Sequence, residues 1–191
     1  HPHEIVQKLM YGGRAGSSDL EQEIFAAQWE AIRTETKASM EMQAAEGAGA
    51  GNNLGKLVHL VDVSGSMSGQ PMEVAIALGI LVSELTDPAC ANRMLTFESQ
   101  PRWVKLEDGV GSIAEKVAAT QRAPWGGSTN FEAALERILE VCVAARLTPD
   151  QVPDMIVFSD MQFDQARGYG GSPWETQYEQ IVRRFAESGV Q

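Results

Sequence analysis

Cysteine is nearly absent from this chain: Cys90 and Cys142 are the two in 191 residues, far apart and with no second thiol or histidine at metal-ligand spacing. That excludes a disulfide framework and a zinc site of the usual spacing, and it favours a reducing interior compartment. Positive charge is scarce too. Fifteen Lys and Arg stand against 26 Asp and Glu, for a formal charge of −11, and no long basic cluster occurs. Nucleic acid is therefore not an expected direct ligand, because affinity for a phosphate backbone rests on neutralising many phosphates. No apolar run approaches the roughly 20 residues needed to span a bilayer, and no charged-then-apolar signal segment leads the chain. No membrane contact is expected, and the expected setting is intracellular, the cytoplasm first. What remains is a hydrophobic share of 43%, enough for an ordinary core in one domain with an extension.

The chain reads in three parts. Residues 1–46 form an N-terminal helical extension. Within it, 1–11 is a short helix or extended arm with Ile5, Val6, Leu9 and Met10 at helical spacing. Ser18-Asp19-Leu20-Glu21 is a capping box that opens a helix to about Ala45, with Leu20, Ile24, Ala27, Ala31, Phe25, Trp29 and Ile32 expected on its apolar face. A Gly/Ala-rich linker covers 47–55. From 56 to 191 strands and helices alternate: strands at 57–61, 93–97, 102–106 and 154–159, helices at about 71–86, 112–121, 130–146 and 173–187. Ser112-x-x-Glu115 and Ser172-x-x-Glu175 are further capping boxes. The continuous apolar runs 57–61 and 155–158 imply burial on both faces, hence a mostly parallel sheet covered by helices. The close pair 93–97 and 102–106 reads as a hairpin, which makes one edge strand antiparallel.

The first of these strands runs straight into Asp62-Val63-Ser64-Gly65-Ser66-Met67. A carboxylate and two hydroxyls at every second position of a curling loop suit a hard cation such as Mg²⁺, which takes an octahedron of oxygens at roughly 2.0–2.1 Å and usually keeps some waters. The plain alternative is a strand-to-helix loop, since Asp, Ser and Gly are what such loops prefer.

Asp62-x-Ser64-x-Ser66 resembles the first element of the metal-ion-dependent adhesion site (MIDAS) of von Willebrand factor A (vWA) domains. Gly126-Gly127-Ser128-Thr129-Asn130 resembles the threonine loop of that site, and Val157-Phe158-Ser159-Asp160 its last ligand. The likeness covers about 55–191. It implies a Rossmann-like vWA fold with helices on both faces of the sheet, and Mg²⁺, or alternatively Mn²⁺ or Ca²⁺, as cofactor. It further implies that Ser64, Ser66 and sometimes Thr129 touch the ion, that Asp62 and Asp160 sit behind metal-bound waters, and that an open position accepts a partner's Asp or Glu. The full vWA sheet has six strands. The two not visible here would follow Gln191 beside strand 154–159, so the chain, which starts at His1 rather than Met, is expected to be a fragment whose open edge further chain or a partner covers. A narrower likeness is to the DUF2828 family of plants, algae and large viruses, through Pro71-Met72-Glu73-Val74-Ala75, Leu81-Val82-Ser83-Glu84-Leu85, Phe158-Ser159-Asp160-Met161-Gln162-Phe163-Asp164 and Pro173-Trp174-Glu175-Thr176. The vWA domain of the Ro ribonucleoprotein is similar more distantly.

Several residues carry competing readings. Thr129-x-x-Glu132 is itself a capping box, and Ser128 takes the place of Thr129 if the loop register shifts by one. Asp164 reads as a loop or cap residue and His59 as a hydrogen-bonded core histidine. His1 and His3 beside Glu4 are a transition-metal combination, although at a terminus fraying is the commoner explanation. Met67, Trp125, Gly127 and Ser128 are expected at the rim where a partner docks, Trp174 near the mouth, and Trp29 and Trp103 in packing roles. The expected function is a metal-dependent protein-binding module. A structural subunit whose metal only stiffens the loops is the alternative. A Mg²⁺-dependent phosphohydrolase is the least favoured, because enzymes that attack phosphate through such an aspartate use a second carboxylate two positions on, where Ser64 stands. The chain is not expected to be an enzyme.

Overall fold

Leu57-Val58-His59-Leu60-Val61 shows no polar alternation, and a strand of this kind needs apolar cover on both sides. The computed structural model, which describes residues 1–12, 18–46, 53–97, 100–106, 112–123, 130–160 and 174–189, places it near the middle of the molecule. In chain order the elements are α1 (Pro2–Tyr11), α2 (Asp19–Ala45), β1 (Leu57–Asp62), α3 (Gln70–Leu85), β2 (Arg93–Phe97), β3 (Trp103–Lys105), α4 (Ile113–Arg122), α5 (Phe131–Ala144), β4 (Asp154–Phe158) and α6 (Trp174–Glu187), with 3₁₀ turns at Gly65–Met67 and Pro149–Gln151. The sheet order is β3-β2-β1-β4. β1 pairs in parallel with β2 and with β4, and β3 runs antiparallel to β2, so the α/β class and the antiparallel edge agree with the sequence.

Alternate residues of β1 feed two apolar layers. Val61 meets Ile76 and Ile80 of α3 together with Met94, Leu106 and Val117, while Val58 and Leu60 join Leu95 and, from α5, Ala134, Ile138 and Cys142. The helix on the first face comes unusually close because Gly79 sits at the contact. A Cβ there would lie 2.6 Å from Val61 Cγ2 and 3.1 Å from Met94 Cε, distances no side chain accommodates without a shift.

The N-terminal helices are built into this layer. Ile5 and Val6 of α1 and Trp29 of α2 belong to the same buried cluster as α3. Ser18 caps α2 as its capping box predicts, with Ser18 Oγ accepting from Glu21 N and Glu21 Oε2 from Ser18 N. The apolar face differs from the expected one. Trp29 is buried and Phe25 and Ile32 pack beside it, whereas Leu20 and Ile24 are exposed, because the face is set by contact with α3 and α4 rather than by the helix's own periodicity. Two polar links fasten it. Glu84 of α3 accepts from Trp29 Nε1 at 2.9 Å and pairs with Lys116 Nζ of α4 at 2.5 Å, both charged groups being buried, and Gln7 Nε2 of α1 donates to the buried Glu73 at 3.2 Å.

His59 corrects another expectation. It is fully buried on the α3 side of β1, but neither ring nitrogen finds a hydrogen-bond partner among the described residues. Burial alone pushes its pKa down to about 4, since no counter-charge offsets the cost of desolvating an imidazolium.

Two stability measurements follow. Lys116→Met strands the Glu84 carboxylate in the interior and is expected to cost about 3 kcal/mol in urea unfolding. Adding Glu84→Gln, which keeps an acceptor for Trp29, is expected to recover much of that loss. For His59 the unfolded chain takes up a proton near pH 6.5 that the folded chain refuses until about pH 4, so stability falls as pH drops through this window. The group's share between pH 7 and pH 5 is about 2 kcal/mol, and His59→Leu is expected to remove that part of the slope.

Candidate metal and partner site

β1 and β4 run side by side in the same direction, with Val61 opposite Phe158. Their carboxyl ends therefore bring Asp62 next to Ser159. β1 also has β2 on its other side, so this is the point where the chain's strand order reverses, the crevice in which open α/β sheets place ligands. After Asp62 the chain makes the 3₁₀ turn Gly65–Met67 and swings into α3 through Gly69, whose φ of 86° lies in the left-handed region that glycine adopts freely.

Asp62 is completely buried. Its Oδ1 accepts the Ser64 amide at 2.9 Å and its Oδ2 accepts the Ser159 hydroxyl at 2.5 Å. No cationic side chain pairs with it among the described residues. Ser64 Oγ, nearly buried, lies 3.0 Å from Ser66 Oγ, which is exposed. Asp160, the residue after Ser159, is exposed at the end of β4. A groove of about 490 Å³ leads away from this point between α3 and β4, with Gln70, Pro71 and Val74 on one wall and Ser159 and Asp160 on the other.

The structure thus gathers Asp62, Ser64, Ser66 and Asp160 at one end of the sheet. Trp125, Gly126, Gly127, Ser128, Thr129 and Asp164 lie outside the described residues, as does the Ser172 capping box. Met67, expected at the rim, lines the groove, but it is 3% exposed and most of its side chain packs into the α3 layer. The cap of α5 is Asn130, whose Oδ1 accepts from Ala133 N at 3.0 Å, not Thr129. His1 and His3 stack on each other with ring centroids 5.7 Å apart. Ser159 was overlooked as a site residue in its own right. The clue was the equal ending of two parallel apolar strands, which puts the residue after one beside the last residue of the other.

Among the described residues no three His, Cys, Asp or Glu side chains gather as a metal-binding group, so a cation here would rely on hydroxyl oxygens. The donor set fits a hard, six-coordinate ion. At metal–oxygen distances of roughly 2.1 Å, neighbouring ligands of an octahedron stand about 3.0 Å apart, the separation observed between Ser64 Oγ and Ser66 Oγ. The same separation also allows the two hydroxyls to share a hydrogen bond when no ion is bound.

Comparison with known proteins corrects the family reading. Residues 57–191 match the family described as Domain of unknown function (DUF7788), and neither the vWA nor the DUF2828 family is matched. The short motifs carried those likenesses, and Asp, Ser and Gly after a buried strand are common enough in α/β loops to do so without kinship. The chain is also similar to "Uncharacterized protein L728" of Acanthamoeba polyphaga mimivirus, 39% identical over 189 residues, which is 98% of this chain and 29% of that protein's length. Both the family match and this likeness reach across the site described above, and the chain belongs to the DUF7788 family.

Proposed function

We propose that the crevice at the carboxyl ends of β1 and β4 holds a divalent cation, Mg²⁺ by ligand type, and through it binds an acidic side chain of a partner protein. The observation that carries this reading is the pair of hydroxyl oxygens 3.0 Å apart beside a carboxylate that is wholly buried without a cationic partner among the described residues. A buried carboxylate is costly unless something of opposite charge compensates it, and a dication in the crevice does so. Ser64 and Ser66 would hold the ion. Asp62, its oxygens engaged by Ser64 and Ser159, would orient the loop and supply charge, and Asp160 would face the ion from the open side. Hydroxyl ligands add no charge, so such a cation would keep its attraction for an anionic group on a partner. The groove beside Asp160 supplies apolar surface for the residues flanking that group.

Asp62 is a poor candidate for phosphoryl attack, since a nucleophile must reach its substrate and this side chain has no exposure. The module reading therefore stands ahead of the hydrolase reading.

Titration calorimetry with Mg²⁺ is expected to show saturable binding by the wild-type chain, lost in Asp62→Asn. Ser159→Ala removes an outer partner of the carboxylate and is expected to weaken affinity by about tenfold. No Mg²⁺ binding by the wild type would sink the proposal. Partner association that survives EDTA in a chain shown to bind Mg²⁺ would reduce the ion to a stiffener of the loop.

A further inference from the structure

The opposite end of β1 opens on a second cavity, of about 410 Å³, between α5 and the β1–β2–β3 side of the sheet. Its walls are mainly apolar, with Val58, Trp103, Ile138 and Val141 among them, and both cysteines of the chain line it. Three of its lining side chains are cationic: Lys56, Arg93 and Lys105. In a chain of net charge −11 that is an unusual concentration.

The placement of two of them is costly. Arg93 and Lys105 are direct register partners across the antiparallel pair β2–β3, and like charges directly opposite destabilise such a pair. Both are exposed, and neither forms an ion pair with a described residue. Lys56 Nζ donates to the Asp150 carbonyl at 3.2 Å, which leaves two of its protons uncommitted. Two acidic groups nearby already accept local hydrogen bonds, Asp87 Oδ1 from the Ala89 amide at 2.8 Å and Asp150 Oδ1 from the Thr148 hydroxyl at 2.6 Å, and Asp150 also feels the charge of Lys56. In the cavity wall the buried indole N–H of Trp103 has no acceptor among the described residues.

We infer that this cavity is a binding site for an amphipathic carboxylate, an anionic head on an apolar body. The body would occupy the space against Ile138, Val141 and Val58, and the head would sit among Arg93, Lys105 and Lys56. An apolar pocket of a few hundred Å³ with a few convergent polar groups is the usual form of a small-molecule site, and the charge sets the sign of the head. An anion relieves the Arg93–Lys105 repulsion, whereas a neutral or cationic amphiphile leaves or worsens it. The site is independent of the proposed cation crevice, which lies at the other end of the same strand.

Decanoate below its micelle concentration is the probe, with decanol and decylammonium of equal chain length as comparators, followed by calorimetry and by tryptophan fluorescence on the full chain. Decanoate is expected to bind saturably, one per chain. Arg93→Glu or Lys105→Glu, exposed changes that relieve the like-charge pair, are expected to leave the unfolding midpoint no lower and to weaken decanoate by about tenfold or more. Trp103→Phe is expected to remove the fluorescence change while the heat of binding persists, and saturating decanoate to slow alkylation of Cys90. Equal binding of the three amphiphiles, no effect of charge reversal, or Cys90 alkylation indifferent to decanoate would each overturn the assignment. Retention of decanoate binding in Asp62→Asn is expected, and its loss would argue against a separate site.

Discussion

A carboxylate cut off from water has to be satisfied by its surroundings, and in this protein that requirement falls on the last residue of the central strand. Asp62 is held by the backbone of the loop that follows it and by a hydroxyl from the end of the neighbouring strand. The second of these bonds needs β1 and β4 to end level, which their parallel register provides. The register in turn depends on β1 being covered on both faces, by α3 where Gly79 lets the helix lie close and by α5 on the other side. The crevice is thus a product of the core rather than an addition to its surface.

The parts of this that depend on local chemistry were legible in the sequence. β1 was, because an unbroken apolar run has few other homes, and the starts of α2 and α4 were, because Ser18 and Ser112 form reciprocal bonds with the Glu three residues on. The misses all concern choices made between elements. Thr129 and Asn130 both have cap chemistry, and it is the Asn130 side chain that takes the Ala133 amide. Leu20 and Ile24 lie on the same helix as Trp29, but α3 and α4 touch only part of that face. His59 is expected to find partners because buried polar groups nearly always do, yet neither ring nitrogen has one among the described residues.

The candidate site shows the same division. Asp62, Ser64 and Ser66 are close in sequence and their convergence could be read from alternation, whereas Ser159 comes from 97 residues away and enters only through strand pairing. Family membership was the least legible of all. A motif of three oxygen-bearing residues reports what a loop can bind, not the ancestry of the chain around it, and the same chemistry recurs on unrelated backgrounds.

The anchoring of the N-terminal helices has a practical side. The family match begins at residue 57, but the packing unit does not. Ile5, Val6 and Trp29 fill the layer against α3, and Glu84 and Glu73 take hydrogen bonds from α2 and α1. A polypeptide trimmed to the matched segment would lay that apolar surface open and leave two acidic side chains short of a donor each. The likeness to the mimivirus protein runs over nearly all of this chain, helices included, and the physically sensible boundary for expression lies ahead of α1, not at the first strand.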